Sequence, residues 1–129
     1  MKNILVTNNS LVNEKYKDDM EVIYLDDLNF LKVLELVRDK IHLGHELLTH
    51  PLSGSIKPNE TPFKSVIISD KIGSIDFNSL KIIEESILTA TKFLTQKKIK
   101  NWPEDILHDF RVIDFSLIAS GIESMNQCI

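Results

Sequence analysis

Short apolar runs bounded by polar turn residues predict three buried β-strands in this chain. The runs cover residues 4–6, 22–25 and 66–68, and most of their side chains are β-branched or aromatic, which pack well on a pleated sheet. The first run is closed by a cluster of turn-forming residues at positions 7–10. Residues 47–49 are a weaker candidate for a fourth short strand.

Apolar residues spaced by three or four positions predict a helix after the second strand. Gly44 follows its last turn, as glycine commonly does at a helix C-terminus. Asp26 and Asp27 precede it as candidate N-terminal caps, and Ser10 can cap a shorter helix after the first strand. The apolar face of the longer helix is wide and contains Phe30, Val33, Leu34, Leu36, Val37 and Ile41.

Two more helices are predicted in the second half of the chain. The first covers residues 79–95, with an apolar face formed by Leu80, Ile83, Ile87, Ala90 and Leu94. The second begins at Pro103, and its face contains Ile106, Phe110, Ile113 and Leu117. Residues 113–117 also alternate as a strand would, but the helical spacing extends back to Ile106 and favours a helix over residues 111–118.

This order of strands and helices predicts one α/β domain over residues 1–129. We expect a small sandwich with a mostly parallel sheet of three or four strands flanked by helices. In open parallel sheets, ligands bind outside the carboxyl ends of the strands. Thr7, Asn8 and Asn9 follow the first strand and are therefore predicted to contribute to a ligand site.

Composition and charge narrow the class of protein. The chain is 43% hydrophobic and 26% charged, which is ordinary for a globular domain. A net charge of −4 gives no reason to expect nucleic-acid binding. The apolar runs are far shorter than the roughly 20 residues of a membrane helix, and the N-terminus lacks the apolar core of a signal peptide. With a lone Cys128 as its only cysteine, the chain is expected to be cytoplasmic, without membrane association, disulfides or a cofactor.

The segment from residue 50 to residue 65 is predicted to be a long, stiffened loop. It shows neither helical nor strand periodicity, and it contains three of the four prolines of the chain. Its hydroxyl groups and positive charges suit a bound phosphate or carboxylate, and a glycine lets the backbone approach closely. The residues concerned are Ser53, Gly54, Ser55, Lys57, Thr61, Lys64 and Ser65. No phosphate-loop or dinucleotide fingerprint is present. Two alternatives stay open: a loop that only covers a sheet edge, and a loop that docks a partner.

Three of the four histidines lie between residues 42 and 50. A zinc site is not predicted, because Gly44 separates His42 from His45 and breaks the helix that would place them on one face. His45 is included among the predicted ligand-binding residues. His50 precedes the loop, where an imidazole would suit a general acid or base or a donor to an anion. A structural role for His50, in bonding loop carbonyls, fits its position equally well.

The same region carries a resemblance to a known family. The central string contains Gly44-His45, Leu47-Leu48-Thr49-His50-Pro51-Leu52-Ser53-Gly54-Ser55, Lys57-Pro58 and Glu60-Thr61-Pro62, and supporting pieces are Thr7-Asn8-Asn9, residues 76–83 and Asn101-Trp102-Pro103. Together they resemble the GrdX family over essentially the whole chain, although Ser10 stands where that family is expected to have proline. The resemblance implies an association with the selenium-dependent glycine, sarcosine or betaine reductases of amino-acid fermentation. It implies no catalytic residue.

Three functional hypotheses follow. The first is an accessory or regulatory protein that binds a small anionic metabolite through residues 50–65 and the turn at residues 7–9. The second is a small enzyme that uses His50 as an acid or base on a phosphorylated or carboxylated metabolite. The third is a docking protein for a reductase subunit, motivated by the wide apolar face of the helix before Gly44, a face that would also suit a homodimer.

Overall fold

Strands and helices alternate along the first part of the chain, and two helices follow, in the order that the hydrophobic pattern predicts. The structure is a computed structural model, and it describes residues 3–52, 57–58, 60–96 and 101–127. The elements are β1 (Asn3–Thr7), α1 (Ser10–Tyr16), β2 (Glu21–Tyr24), α2 (Phe30–His42), β3 (Ser65–Ser69), α3 (Phe77–Gln96) and α4 (Glu104–Gln127). Residues 111–118 lie within α4, which confirms the helical interpretation of that stretch.

The three strands form one sheet in the order β2-β1-β3. β1 and β2 are parallel, with Ile4 opposite Glu21. β1 and β3 are antiparallel, with Thr7 opposite Ser65 at one end and Asn3 opposite Ser69 at the other. The sheet is therefore mixed, and the prediction of a mostly parallel sheet is wrong. Residues 47–49 do not form a fourth strand, because their only ladder contact is an isolated antiparallel bridge between Leu47 and Ile68.

The direction of β3 follows from the path of the chain after α2, over residues 43–49. After α2, the chain first reaches the amino end of β1, where the Ser69 amide donates to the Glu46 carbonyl at 2.9 Å. It then runs alongside β3, and the Leu48 amide donates to the Ile67 carbonyl at 2.9 Å. This passage brings the chain to the carboxyl end of β1, so β3 has to return in the opposite direction. A short connection from α2 would have produced the parallel strand that was expected.

Both faces of the sheet pack against helices. Side chains of alternate strand residues, such as Val6 and Ile68, lie on one face in a core cluster with α2 and α3. Leu5 and Ile67 lie on the other face, in a second cluster with Val12 of α1 and Ile118 of α4. This alternation follows from the two-residue period of a strand, which points successive side chains to opposite faces.

Side chains other than those predicted cap the helices. The cap of α1 is Asn9, whose side chain accepts from the Leu11 amide, rather than Ser10. The cap of α2 is Asn29, rather than Asp26 or Asp27. Asparagine is as good a cap as serine or aspartate, since its side-chain oxygen reaches the same orphan amides.

Gly44 ends α2 as predicted, and its backbone has a φ of 110°. Its amide donates to the Ile41 carbonyl at 3.0 Å. Glycine adopts this left-handed region without the steric cost that a Cβ brings.

The inward face of α4 is not the predicted one. Ile113 and Leu117 are 41% and 42% exposed, whereas Asp114 and Ile118 are buried. The helix is rotated so that a carboxylate, which the hydrophobic pattern places on the polar side, points into the protein. This rotation decides the chemistry of the site.

Candidate functional site

A buried hydrogen-bonded chain joins the carboxyl end of β1 to α4. The Ser65 hydroxyl lies 2.7 Å from Asp114 Oδ2 and 2.7 Å from the Thr7 hydroxyl. An ionised carboxylate only accepts, so Ser65 donates to Asp114 and Thr7 donates to Ser65. The backbone amide of Asn9 then donates to the Thr7 hydroxyl at 3.0 Å. The direction of this chain is set by the negative charge of Asp114.

Asn8 and Asn9 are buried, and they hold the site together rather than face a ligand. The Asn8 side-chain amide donates to the carbonyls of Asp27 and Pro62, and its oxygen accepts from the Lys64 amide at 2.9 Å. The Asn9 side chain caps α1 and donates to Asp114 Oδ2 at 3.0 Å. Both side chains have their donor and acceptor groups engaged inside the protein. The predicted turn at residues 7–9 therefore positions the last residues of the loop.

Lys64 and Asp114 bring two opposite charges into this buried region. Their residues are only 8% and 7% exposed. Burial lowers the pKa of the Lys64 ammonium, and the nearby Asp114 charge counteracts part of that shift. Burial likewise raises the pKa of Asp114, against the hydrogen bonds from Asn9 and Ser65 and the charge of Lys64. Each group is the electrostatic partner of the other.

The ammonium of Lys64 is not in a direct ion pair with any described carboxylate. The ion pairs found among the described residues use Lys17, Arg38, Lys71 and Arg111 as their cations. Arg111 lies near the loop, but its guanidinium packs over the Phe63 ring at 5.0 Å from the centroid and pairs with Glu104. Among the described residues, Lys64 is therefore a buried cation of this region without a direct ion pair.

A cavity of about 160 Å³ opens beside this pair. It is lined by Thr49, His50, Leu52, Lys64, Ser65, Asp114, Leu117, Ile118 and Gly121. A smaller space of about 10 Å³, between the loop and Phe30, also touches both Lys64 and Asp114. The larger cavity has the size that holds a benzene-sized molecule, roughly 150 Å³. The smaller one has room for about one water molecule.

His50 lies on the rim of the larger cavity and is exposed. Its Nδ1 lies 3.0 Å from the Leu52 amide nitrogen and 3.1 Å from the Leu52 carbonyl oxygen, which leaves Nε2 as the ring nitrogen for a ligand. Thr61 is buried, and its hydroxyl accepts from the Phe63 amide within the loop. Lys64, Ser65 and His50 are thus the predicted residues that the structure brings together around one cavity.

Other predicted site residues lie elsewhere. His45 is at the opposite end of the β1–β3 pair, where its Nδ1 donates to the Ser69 carbonyl at 2.7 Å. The Lys57 ammonium lies 5.9 Å from the centroid of the Phe93 ring, and Lys57 does not line the cavity. Ser53, Gly54 and Ser55 lie outside the described residues, as does Cys128.

Asp114 is absent from the predicted site residues, although it is central to the observed site. The missed signal is the i, i+4 series of Phe110, Asp114, Ile118 and Ile122, in which a lone carboxylate interrupts an apolar stripe. Both this series and the series through Ile113 and Leu117 could form the inward face of the helix. Helical periodicity alone could not choose between the two faces.

A second, larger cavity of about 660 Å³ lies at the amino end of β1. The described residues that line it include the acidic Asp18, Asp19 and Glu21 and no basic side chain. It therefore does not suit an anion. Within the described part of the chain, no group of three or more histidine, cysteine, aspartate or glutamate side chains is placed to hold a metal ion. Nor is any helix there both long and apolar enough to cross a membrane.

Fold and site together define a class: an α/β protein with a mixed three-stranded sheet and a small cavity beside a buried lysine and aspartate. Residues 4–123 match a family model described as GrdX-like protein, and the chain therefore belongs to the GrdX-like family. This match confirms the resemblance noted from the central string. No curated protein and no solved structure gives a significant match to the chain.

Proposed function

We propose that this chain is an accessory or regulatory protein of a glycine reductase-type amino-acid fermentation system. In this role it binds a small metabolite that carries a carboxylate or phosphate group. The ligand occupies the cavity of about 160 Å³ lined by Lys64, Ser65 and His50. Membership of the GrdX-like family supports the metabolic setting.

The observation that carries the binding proposal is that Lys64, a buried lysine, lines this cavity. Burying a charge is costly unless it is paired, and Lys64 interacts with the charge of Asp114 without a direct ion pair to any described carboxylate. A ligand carboxylate or phosphate would supply that pair. Ser65 and His50 also line the cavity and add hydrogen-bonding groups to it.

The loop contributes to the cavity through its last two residues, Lys64 and Ser65. Lys64 and Ser65 are the residues that join the loop to β3, and Asn8 fixes the backbone amide of Lys64. The backbone of Lys64 is therefore held by a buried hydrogen bond next to β3 before the ligand arrives. Such preorganisation lowers the ordering cost of binding.

The docking hypothesis was based on the wide apolar face of the helix before Gly44. The wide apolar face of α2 is covered, because Val33 and Val37 are buried in a core cluster that includes Ile83 and Ala90 of α3. A reductase subunit or a second copy of the chain as partner stays a prediction. The use of His50 in an enzymatic reaction also stays a prediction.

A thermal-shift screen with acetate, phosphate, acetyl phosphate and glycine tests the proposal. A ligand at about 100 times its dissociation constant adds about 2.7 kcal/mol to the free energy of unfolding. For a domain of this size, that gain raises the Tm by about 10 °C. We expect at least one of the four compounds to give such a shift.

The variant Lys64→Met should abolish that shift, since it removes the charge and keeps an unbranched side chain. Lys15→Met is the matched control, because Lys15 is an exposed lysine on α1, outside the residues that line the cavity. A screen in which none of the four compounds moves the Tm of the unmodified protein contradicts the proposal. A shift of equal size in Lys64→Met and Lys15→Met contradicts it as well.

A further inference from the structure

We propose that the ligand of this cavity is a zwitterion: a small, amino acid-like molecule whose carboxylate pairs with Lys64 and whose ammonium pairs with Asp114. This inference rests on the proposed function and specifies its ligand class. Lys64 and Asp114 line the same cavity of about 160 Å³. One wall therefore offers a cation and the same cavity offers a carboxylate.

Charge balance distinguishes a zwitterion from a plain anion. When both groups are ionised, Lys64 and Asp114 sum to zero charge. A lone anion that pairs with Lys64 would leave Asp114 as a buried and uncompensated carboxylate, which is strongly unfavourable in a site of low dielectric constant. A zwitterion matches each charge with its opposite and leaves the buried site neutral. The argument disfavours a phosphate dianion more strongly, because its charge is larger.

The hydrogen bonds of Asp114 leave it an acceptor for such a ligand. The donors Asn9 and Ser65 both bond to Oδ2, at 3.0 and 2.7 Å. A carboxylate has about four lone-pair sites over its two oxygens. The Ser65 backbone also contributes a hydrogen bond to this carboxyl group. These bonds hold the carboxyl group in place, and they leave about one of its lone-pair sites for an ammonium.

The neighbouring groups fit the same ligand. Ser65 is an uncharged residue of the lining, and its hydroxyl bonds to Asp114. Leu117 and Ile118 give the cavity an apolar side without further charge. A volume near that of a benzene site, about 150 Å³, limits the ligand to roughly five to eight non-hydrogen atoms.

Titration calorimetry on the unmodified protein tests the inference without any substitution. The probes are glycine, which carries both charges, acetate, which lacks the ammonium, methylammonium, which lacks the carboxylate, and inorganic phosphate. We expect glycine to bind at least about tenfold more tightly than acetate or phosphate, because only glycine satisfies both buried charges. Methylammonium should bind at least about tenfold more weakly than glycine, for the same reason.

Asp114→Asn sharpens the test, and Asp109→Asn is its matched control. Both changes remove one negative charge from α4, but Asp109 is exposed and does not line the cavity. In Asp114→Asn, the ratio of glycine to acetate affinity should fall to within about threefold of one, since the group that recognises the ammonium is gone. In Asp109→Asn, the ratio should stay as in the unmodified protein. Circular dichroism establishes that each variant is folded, and the four probes on the unmodified protein decide the matter if Asp114→Asn does not fold.

The possible outcomes distinguish the zwitterion inference from the anion-binding proposal on which it rests. Acetate or phosphate binding as tightly as glycine would overturn the zwitterion and leave anion binding standing. A preference for glycine that persists in folded Asp114→Asn would overturn the role given to Asp114. If none of the four probes releases heat, the zwitterion inference and the binding proposal both fail.

Discussion

The two ends of the β1–β3 pair both bury polar side chains, but they do so in different ways. At the amino end, His45 donates to the Ser69 carbonyl, the Ser69 hydroxyl accepts from the Glu46 amide, and the Ser79 hydroxyl accepts from the Leu47 amide. Each of these side chains meets a backbone group. At the carboxyl end, Thr7, Ser65 and Asp114 bond mainly to one another.

The difference separates a structural cluster from a candidate site. The amino-end cluster fastens residues 45–47 to β3 and α3, and its donors and acceptors match within the protein. The carboxyl-end cluster carries two buried charges that are not in direct contact and lie beside a cavity. Burial of polar groups alone therefore does not mark a ligand site. What marks it is buried charge that faces open space.

Replacing Gly44 at the amino end should give the largest loss of stability. In Gly44→Ala, the new Cβ would overlap the Gly73 backbone nitrogen and lie 2.9 Å from the Ile72 carbonyl carbon, at a φ of +110°. Backbone strain and steric overlap together should lower the free energy of unfolding by about 3 kcal/mol. Urea denaturation measures the change. Glycine affinity of the folded protein should not change, because Gly44 is far from the cavity.

Gly73→Ala is the matched control for that substitution. Gly73 also has a positive φ, of +131°, but a Cβ there meets no atom of the described residues within 4 Å. It should therefore lose only the strain contribution, about 1 kcal/mol. Equal losses in the two variants would mean that the close approach of the two glycines contributes nothing to stability.

The variant His45→Ala tests whether the amino-end cluster is purely structural. It leaves the buried Ser69 carbonyl without its donor and opens a small void, so the free energy of unfolding should fall by about 2 kcal/mol. The affinity for the ligand should be unchanged. Exposed His108 gives the control, since His108→Ala should change stability by no more than about 0.5 kcal/mol. A loss of ligand binding in folded His45→Ala would show that His45 contributes to ligand binding. The amino-end cluster would then not be purely structural.

The pH dependence of stability tests the charge at the carboxyl end. The folded pKa of Lys64 is lowered from its ordinary value of 10.5, so between the two values the unfolded chain binds more protons than the folded protein. Stability from this group therefore rises as the pH increases through the folded pKa toward 10.5. Urea denaturation at several pH values above 8 should show a smaller rise in Lys64→Met than in Lys15→Met. Identical slopes in the two variants would mean that Lys64 is not buried as an ammonium.

Replacing His50 should have the smallest effect on stability. Its side chain is exposed, and its hydrogen bonds among the described residues are to Leu52, so His50→Ala should change the free energy of unfolding by no more than about 0.5 kcal/mol. Ligand affinity should fall by about threefold to tenfold, the value of one hydrogen bond at the rim. Calorimetry with the tightest probe measures that change. An unaltered affinity would show that His50 does not touch the ligand.

Local patterns predicted most elements because strands and helices are recognised over a few residues. The order of elements, the stop at Gly44 and the helical state of residues 111–118 all follow from short-range spacing. The direction of β3 could not be predicted in this way. It depends on residues 46–49 passing alongside β3, and such a path is set by contacts between distant residues such as Leu47 and Ile68.

Local sequence likewise predicts only those residues of the candidate site that lie close together in the chain. His50, Lys64 and Ser65 lie within or next to the loop whose composition indicated ligand binding, and the structure places them on one cavity. Asp114 is 49 residues from Ser65 in the chain and is not among the residues predicted for the site. His45 matched the composition of a site but lies at the other end of the sheet.

Residue identities and their local spacing are enough to predict the family, the succession of strands and helices, and the segment that carries the candidate chemistry. These properties depend on residue identity and on spacing within a few turns of the chain. The direction of β3, the inward face of α4 and the charges that share a cavity became known from the three-dimensional arrangement. Those choices depend on how separate elements pack, because packing rotates a helix or reverses a strand without changing its local pattern.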